Sequence, residues 1–190
     1  LEIGVQMKEM RNNIIVIDDV ISKEYQNFIE KMNFPWHFLD QTTNVYEGST
    51  DRATGFSCNI LKREDKGDEY VNAPFVEGLI PLLCEAVGKV DKDLGILQIF
   101  RIRAGMFIQN QNNIPHQSHI DRDDFHYTML YYVNDSDGPT KFYDHKDGEV
   151  VKMVDPKKGR AVLFTGDTYH ASSSPKNHSN RIVLNYNFLV

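Results

Sequence analysis

Two cysteines in 190 residues, Cys58 and Cys84, are too few for a disulfide framework or a cysteine-based zinc cluster. So sparse a complement fits a reducing compartment, and the cytoplasm is the expected setting. Cys84 closes the apolar run Leu79-Ile80-Pro81-Leu82-Leu83 and is read as a small core residue. No apolar run approaches the ~18–20 residues a membrane helix needs. The opening stretch, LEIGVQMKEMRNN, has no apolar signal core, and its start at Leu1 reads as a trimmed N-terminus. A basic excess is missing too. Lys and Arg number 21 against 27 Asp and Glu, a net charge of −6, which argues against nucleic acid or an anionic membrane as the main partner. Repeats, low-complexity tracts and linkers are also absent. What is left, 41% hydrophobic and 25% charged residues, is the composition of an ordinary globular chain of one-domain length.

The pattern along the chain changes once. Ile14–Ile21 reads as a short strand followed by a turn. Ser22 is a good N-cap for a helix to Met32, with Tyr25, Phe28, Ile29 and Met32 at helical spacing. The stretch 42–72 reads as loop interrupted by a strand near 56–61. A second helix is expected over 74–89, with Pro74 in its first turn, Gly88 near its end and a kink at Pro81. From Ile96 the period becomes two. The segments 96–103, 126–134, 140–144, 149–154, 161–166 and 181–189 read as strands, parted by DSDG, HKDG and PKKG turns. Two helices followed by short strands predict a mainly β (α+β) sandwich or barrel with helices on one outer face. In the last strand Ile182, Leu184, Tyr186 and Phe188 form an apolar face toward the helices. Arg181, Val183, Asn185 and Asn187 form a mixed face suited to a barrel interior.

Chemistry enters with His119-Ile120-Asp121. On an extended segment positions i and i+2 point the same way, so one ion can be shared by both, although alone the pair is a weak signal. His170, just after the strand-like Ala161–Gly166, and Arg181, which opens the last strand, strengthen it, because a barrel can set both opposite His119 and Asp121. Two neutral imidazoles and one carboxylate on one face of an octahedral ion form the facial triad suited to non-heme Fe(II) and oxygen chemistry. A bidentate 2-oxo acid would fill two of the three open positions, and Arg181 would grip its far carboxylate through a planar fork.

These residues carry a resemblance. His119-x-Asp121, TMLYYVND from Thr128, GRAVLF from Gly159, His170, and RIVLNYNF from Arg181 resemble the catalytic core of the Fe(II)/2-oxoglutarate-dependent dioxygenases, most nearly their prolyl 4-hydroxylase-like branch. The opening IIVIDDVISKEYQNFIEKM resembles the helical lead-in of that branch. The resemblance implies a double-stranded β-helix (jelly roll) with N-terminal helices, one domain over 1–190 with a lead-in to about 95 and a catalytic core from about 96. It implies His119, Asp121 and His170 as iron ligands, with Arg181 on the 2-oxoglutarate C5 carboxylate. Tyr132 falls where several prolyl hydroxylases use a tyrosine on the same carboxylate, with a barrel-core aromatic as the alternative. Thr128 shares its strand face, and Asn185, on the face of Arg181, is a weaker candidate contact.

The likeness has departures. Where the branch commonly has a tyrosine before the glycine upstream of His-x-Asp, this chain has Arg103-Ala104-Gly105, so a cosubstrate hydrogen bond is lost or Arg103 replaces it with a charge. Nucleic-acid demethylases of the superfamily carry a second arginine six positions after the first, and here that position is Asn187. His116 is read as a loop residue or a neighbour of the ligands. His37, His126, His145 and His178 are read as solvated or packed, and Lys157-Lys158-Gly159-Arg160 as a turn with solvated charges. Two loops are candidates for shaping substrate choice: the amide-rich 104–118, and 41–51 with Tyr46 and the adjacent Arg52 as parts of a lid.

The implied reaction is oxidative decarboxylation of 2-oxoglutarate to succinate and CO2, coupled to hydroxylation of a C–H bond, with O2 as cosubstrate and ascorbate as a reductant. Resemblance to prolyl hydroxylases favours a prolyl residue in a peptide or protein. The rivals are a small-molecule oxygenase acting on a free amino acid or metabolite, a catalytically silent metal-binding jelly roll, and, more remotely, a zinc hydrolase. The sequence leaves the oligomeric state open.

Overall fold

The computed structural model describes residues 13–40, 54–63, 70–111 and 116–190. The elements run β1 (Ile15–Ile17), α1 (Lys23–Glu30), β2 (His37–Leu39), β3 (Gly55–Lys62), β4 (Tyr70–Val71), α2 (Ala73–Val90), β5 (Gln98–Ile108), β6 (Tyr127–Tyr132), β7 (Thr140–Tyr143), β8 (Val150–Val154), β9 (Ala161–Thr165), β10 (His170–Ala171) and β11 (Asn180–Leu189). All pairings are antiparallel. A large sheet has the order β1-β9-β6-β11-β5-β3-β2, with β4 on β3, and faces a three-stranded sheet, β10-β7-β8. This is the jelly-roll architecture with the helices on one outer face.

The last strand divides the interior in two because successive side chains of a strand alternate between its faces. Leu184, Tyr186 and Phe188 enter a core with Leu79, Leu82, Leu83, Ala86 and Val87 of α2 and Ile29 of α1. Each buried leucine there contributes about 1.5–3 kcal/mol. Val183, on the other face, packs between the sheets with Leu130, Tyr132, Phe142, Val154, Val162 and Phe164.

Both helices form as their ends dictate. Ser22 Oγ accepts the Tyr25 N–H at 3.3 Å. In α2, Pro74 stands at the start and the helix continues through Pro81. Its buried positions 79, 82, 83, 86 and 87 follow the helical repeat, which turns Cys84 outward. The expectation of a core Cys84 is therefore corrected: it is exposed, whereas Cys58 on β3 is buried. A second correction concerns the amide-rich stretch 104–118. Its first part, as far as Ile108, extends β5, held on both sides by β3 and β11. The candidate lid with Tyr46 and Arg52 lies outside the described residues.

The turn after β1 is tied to the loop before β9. Arg160 donates to Asp18 through Nε at 2.6 Å and Nη2 at 3.1 Å, and Lys157 Nζ adds a contact at 3.1 Å. Beside them Gly159 has φ +81°, and a Cβ there would meet the Gln26 side chain at 2.4 Å, so the loop closes on α1 only with glycine at this place. The hydrogen bond from Arg160, aided by Lys157, holds the Asp18 carboxyl down at about 2 despite some burial. A depressed carboxylate stabilises the fold above its unfolded value of 3.8 and loses that contribution as the pH falls toward 2. Asp18→Asn is expected to cost under about 1 kcal/mol, because the group is largely solvent-screened. Urea melts between pH 5 and pH 2 should show a shallower acid slope in the variant.

Candidate metal centre

His119 and His170 are locked to each other through the backbone. Each N–H donates to the other's carbonyl at 3.0 Å, an isolated antiparallel bridge that puts both imidazoles on one side with ring centroids 4.8 Å apart. Asp121, two residues after His119, turns its carboxylate to the same point. Its oxygens lie 4.0 Å from His119 Nε2 and 3.9 Å from His170 Nε2, and the three donor groups fall within 4.8 Å of one another.

The ring tautomers follow from the surroundings. His119 Nδ1 lies 3.1 Å from the Gln117 carbonyl and His170 Nδ1 lies 3.0 Å from that of Thr168. A carbonyl only accepts, so both Nδ1 atoms carry the proton and both Nε2 lone pairs face the shared point. Burial, with His119 alongside, pushes the His170 imidazole down to about 4, which keeps it neutral near pH 7. Burial alone would raise the Asp121 carboxyl. Arg101 and the two histidines, with the Asn187 amide, overcome it and hold the group well below the ordinary carboxylate range. A neutral His170 and an ionised Asp121 beside the His119 ring suit Fe(II) with positions left open.

The carboxylate is held by a row of side chains from three adjacent strands. On the inward face Arg101 (β5), Asn187 (β11) and Thr128 (β6) stand in register. Arg101 Nη2 donates to Asp121 Oδ1 at 2.6 Å. Asn187 Nδ2 donates to Oδ2 at 3.0 Å and Thr128 Oγ1 at 3.4 Å. Asn185, one row on, reaches Oδ2 at 3.1 Å. Thr128 and Asn185, expected on the cosubstrate, thus bond the carboxylate of Asp121. The physical reason is their register: the barrel interior brings them to the carboxylate.

A cavity of about 80 Å³ opens beside the triad, lined in part by Arg101, Arg103, Phe107, Leu130, Ser172 and Val183. Behind its inner wall lies Arg181, fully buried. One guanidinium nitrogen donates to Thr140 Oγ1 at 2.7 Å and another to Ser172 Oγ at 3.3 Å, while the fork lies over the rings of Phe107 and Tyr132. The Tyr132 hydroxyl donates to the same Thr140 oxygen at 2.7 Å. Arg181 Nε is buried without a partner, and no carboxylate among the described residues pairs with the group. A buried guanidinium with an orphaned N–H is a site for an acid that the chain itself does not supply, and the far carboxylate of 2-oxoglutarate fits it.

Arg103 lines the cavity without bonding Asp121. His116 lines it as well, against the Phe107 ring at 4.8 Å. His126 is packed, its Nδ1 2.8 Å from the Asp124 carbonyl. Arg101, Thr140 and Ser172 were not singled out by the sequence. Arg101 had a signal, the i, i+2 relation to Arg103 on one strand face. Thr140 and Ser172 had none, because their places depend on the second sheet.

Asn187→Ala should leave the fold intact and weaken divalent-metal affinity about 10- to 100-fold, since groups that orient a ligand carry effects of that size. Calorimetric titration with Fe(II) under anaerobic conditions reads it.

Residues 104–189 match the model of the 2OG-Fe(II) oxygenase superfamily. No curated protein matches the chain. Among solved structures, an oxidoreductase of the 2OG-Fe(II) oxygenase family from Burkholderia pseudomallei has a TM-score of 0.72 at 12% identity, over 97% of this chain and 89% of that one. A prolyl hydroxylase from Trichoplax adhaerens, in complex with a peptide fragment of the hypoxia inducible factor oxygen degradation domain, has a TM-score of 0.61 at 16% identity, covering 97% and 87%. A prolyl-4-hydroxylase from Pseudomonas putida has 0.59 at 14% identity, covering 100% of both. At such identities the solved structures speak for the fold. The matched segment carries the His-Asp-His cluster and Arg181, and it resembles the catalytic segment of the 2OG-Fe(II) oxygenases, a superfamily that uses Fe(II), 2-oxoglutarate and O2.

Proposed function

We propose that this protein hydroxylates a C–H bond of a prolyl residue in a peptide or protein. His119, Asp121 and His170 hold the iron and Arg181 takes the C5 carboxylate of 2-oxoglutarate. The observation that carries the reading is the unpaired, buried Arg181 behind a cavity whose lining includes the three ligands. The peptide complex of the Trichoplax prolyl hydroxylase supports the substrate class.

When bound, Fe(II) with 2-oxoglutarate supplies the oxygen activation that inserts one oxygen atom into substrate and releases succinate and CO2. The chain's residues do the rest. His119 and His170 present fixed lone pairs, and Asp121 is kept ionised and oriented by Arg101, Asn185 and Asn187. Tyr132 and Thr140 aim the Arg181 fork, and burial keeps the Tyr132 phenol protonated, so it remains a donor. Phe107, Leu130 and Val183 give the cavity apolar walls that exclude water. No side chain has to act as a separate general base. In this reading the strands from about residue 96 carry the chemistry, and the lead-in to about 95 braces the large sheet.

The setting is cytoplasmic, in keeping with two cysteines that form no disulfide. No helix among the described residues is long and apolar enough to cross a membrane.

Asp121→Ala should lose Fe(II) binding and turnover together. Arg181→Gln should keep the iron and raise the KM for 2-oxoglutarate roughly 100-fold or more, the cost of losing a buried charged partner. Proline-containing peptides incubated with Fe(II), 2-oxoglutarate and air should gain the mass of one oxygen atom on proline. Normal turnover by Asp121→Ala would contradict the ligand assignment. Succinate release with every such peptide left unmodified would contradict the prolyl substrate.

A further inference from the structure

The charge of the cavity runs against that of the chain. The protein carries −6 overall, yet among the described lining residues Asp121 is the one acid, and it faces two arginines, Arg101 and Arg103. Fe(II), a 2-oxoglutarate dianion, Asp121 and Arg181 neutralise one another when assembled. Arg101 and Arg103 then leave two positive charges over. Arg101 is engaged at 2.6 Å with Asp121. Arg103 has neither a hydrogen-bond partner nor an ion pair among the described residues, and burial together with Arg101 lowers its affinity for its own proton, against a smaller opposing pull from Asp121. A half-buried guanidinium beside a like charge, with its fork unengaged, is open to an acidic ligand.

Its position says which ligand. Arg103 stands across from Asn185 on β11, one row from the residues that hold Asp121 and two rows from Arg181. On its other side it pairs with Asn59 of β3, which is exposed, so this row runs out toward solvent. The Arg181 end is closed by Phe107, Tyr132 and Thr140. Arg103 therefore faces the side from which a substrate enters, and the inner wall is left to the cosubstrate. A planar fork at that place selects a carboxylate.

We propose that Arg103 is a specificity-determining residue, and that the substrate carries a carboxylate which Arg103 binds while the reacting C–H bond is held at the metal. The proposal rests on the hydroxylase reading above. It stands as an alternative to the expectation that Arg103 replaces a cosubstrate hydrogen bond with a charge.

The test uses the anaerobic Fe(II)- and 2-oxoglutarate-loaded protein and calorimetric titration with matched probes. Acetyl-Gly-Pro-Asp-amide is compared with its Asn counterpart, acetyl-Asp-Pro-Gly-amide with its Asn counterpart, and acetyl-Gly-Pro acid with its amide. L-Proline against L-prolinamide tests a small acid as the source of the carboxylate. At least one acid should bind about tenfold or more tighter than its neutral partner, as a charge-assisted contact requires. The preference should collapse in Arg103→Gln and return in part in Arg103→Lys. Arg103→Gln should also melt no lower than the wild type without ligand, because it removes an unpaired cation. Equal binding of acid and neutral probes in all four pairs would overturn the proposal. So would an Arg103→Gln variant in which the affinity for 2-oxoglutarate falls while any acid preference stays. Failure of the hydroxylase reading has a separate signature, since the wild-type protein would then not bind 2-oxoglutarate at its iron.

Discussion

Two backbone hydrogen bonds between His119 and His170 are the constraint on which the site depends. An antiparallel pair that exchanges both N–H···O bonds places its two side chains next to each other on one face. That pairing joins a segment before β6 to one after β9, and so makes one site of residues about fifty positions apart. Asp121 then needs only the i+2 step of an extended chain to complete the set. The carbonyls behind the two rings fix the tautomers, and no side chain has to be spent on that task.

The same strand serves stability and chemistry. On β11, Leu184, Tyr186 and Phe188 bury against the helices, while Arg181, Asn185 and Asn187 face the barrel. The polar face is an electrostatic expense, with orphaned atoms on Arg181, Asn185 and Asn187. The apolar face offsets it within the same ten residues. A shift of register by one residue would exchange the faces and destroy both, so β11 is held on either side by β5 and β6 over most of its length.

Much of this was legible in the sequence, because alternation is a local property. The period-two pattern of RIVLNYNF shows both faces of β11, and the i, i+2 spacing of His119 and Asp121 shows two members of the His-Asp-His cluster. His170 and Arg181 were candidates only on the assumption of a barrel, since no local rule sets the distance between strands of different sheets. Other features were hidden for the same physical reason. The donors that reach Asp121 come from three strands, and their convergence follows from sheet register, which spacing along the chain does not contain. Thr128 and Asn185 are legible as inward-facing, but their hydrogen bonds to Asp121 depend on that register. Cys84 was misjudged because an apolar run was read without its helical phase. β10 escaped notice because two residues carry no period.

The account centres on an iron held by His119, Asp121 and His170 and a 2-oxoglutarate anchored by Arg181. Anaerobic titration of the Fe(II)-loaded protein with 2-oxoglutarate, followed by admission of oxygen and measurement of succinate, tests both at once. The account predicts a visible metal-to-ligand charge-transfer band that saturates with 2-oxoglutarate, then slow succinate formation even without substrate. A protein that holds its iron yet develops no band and releases no succinate would contradict it.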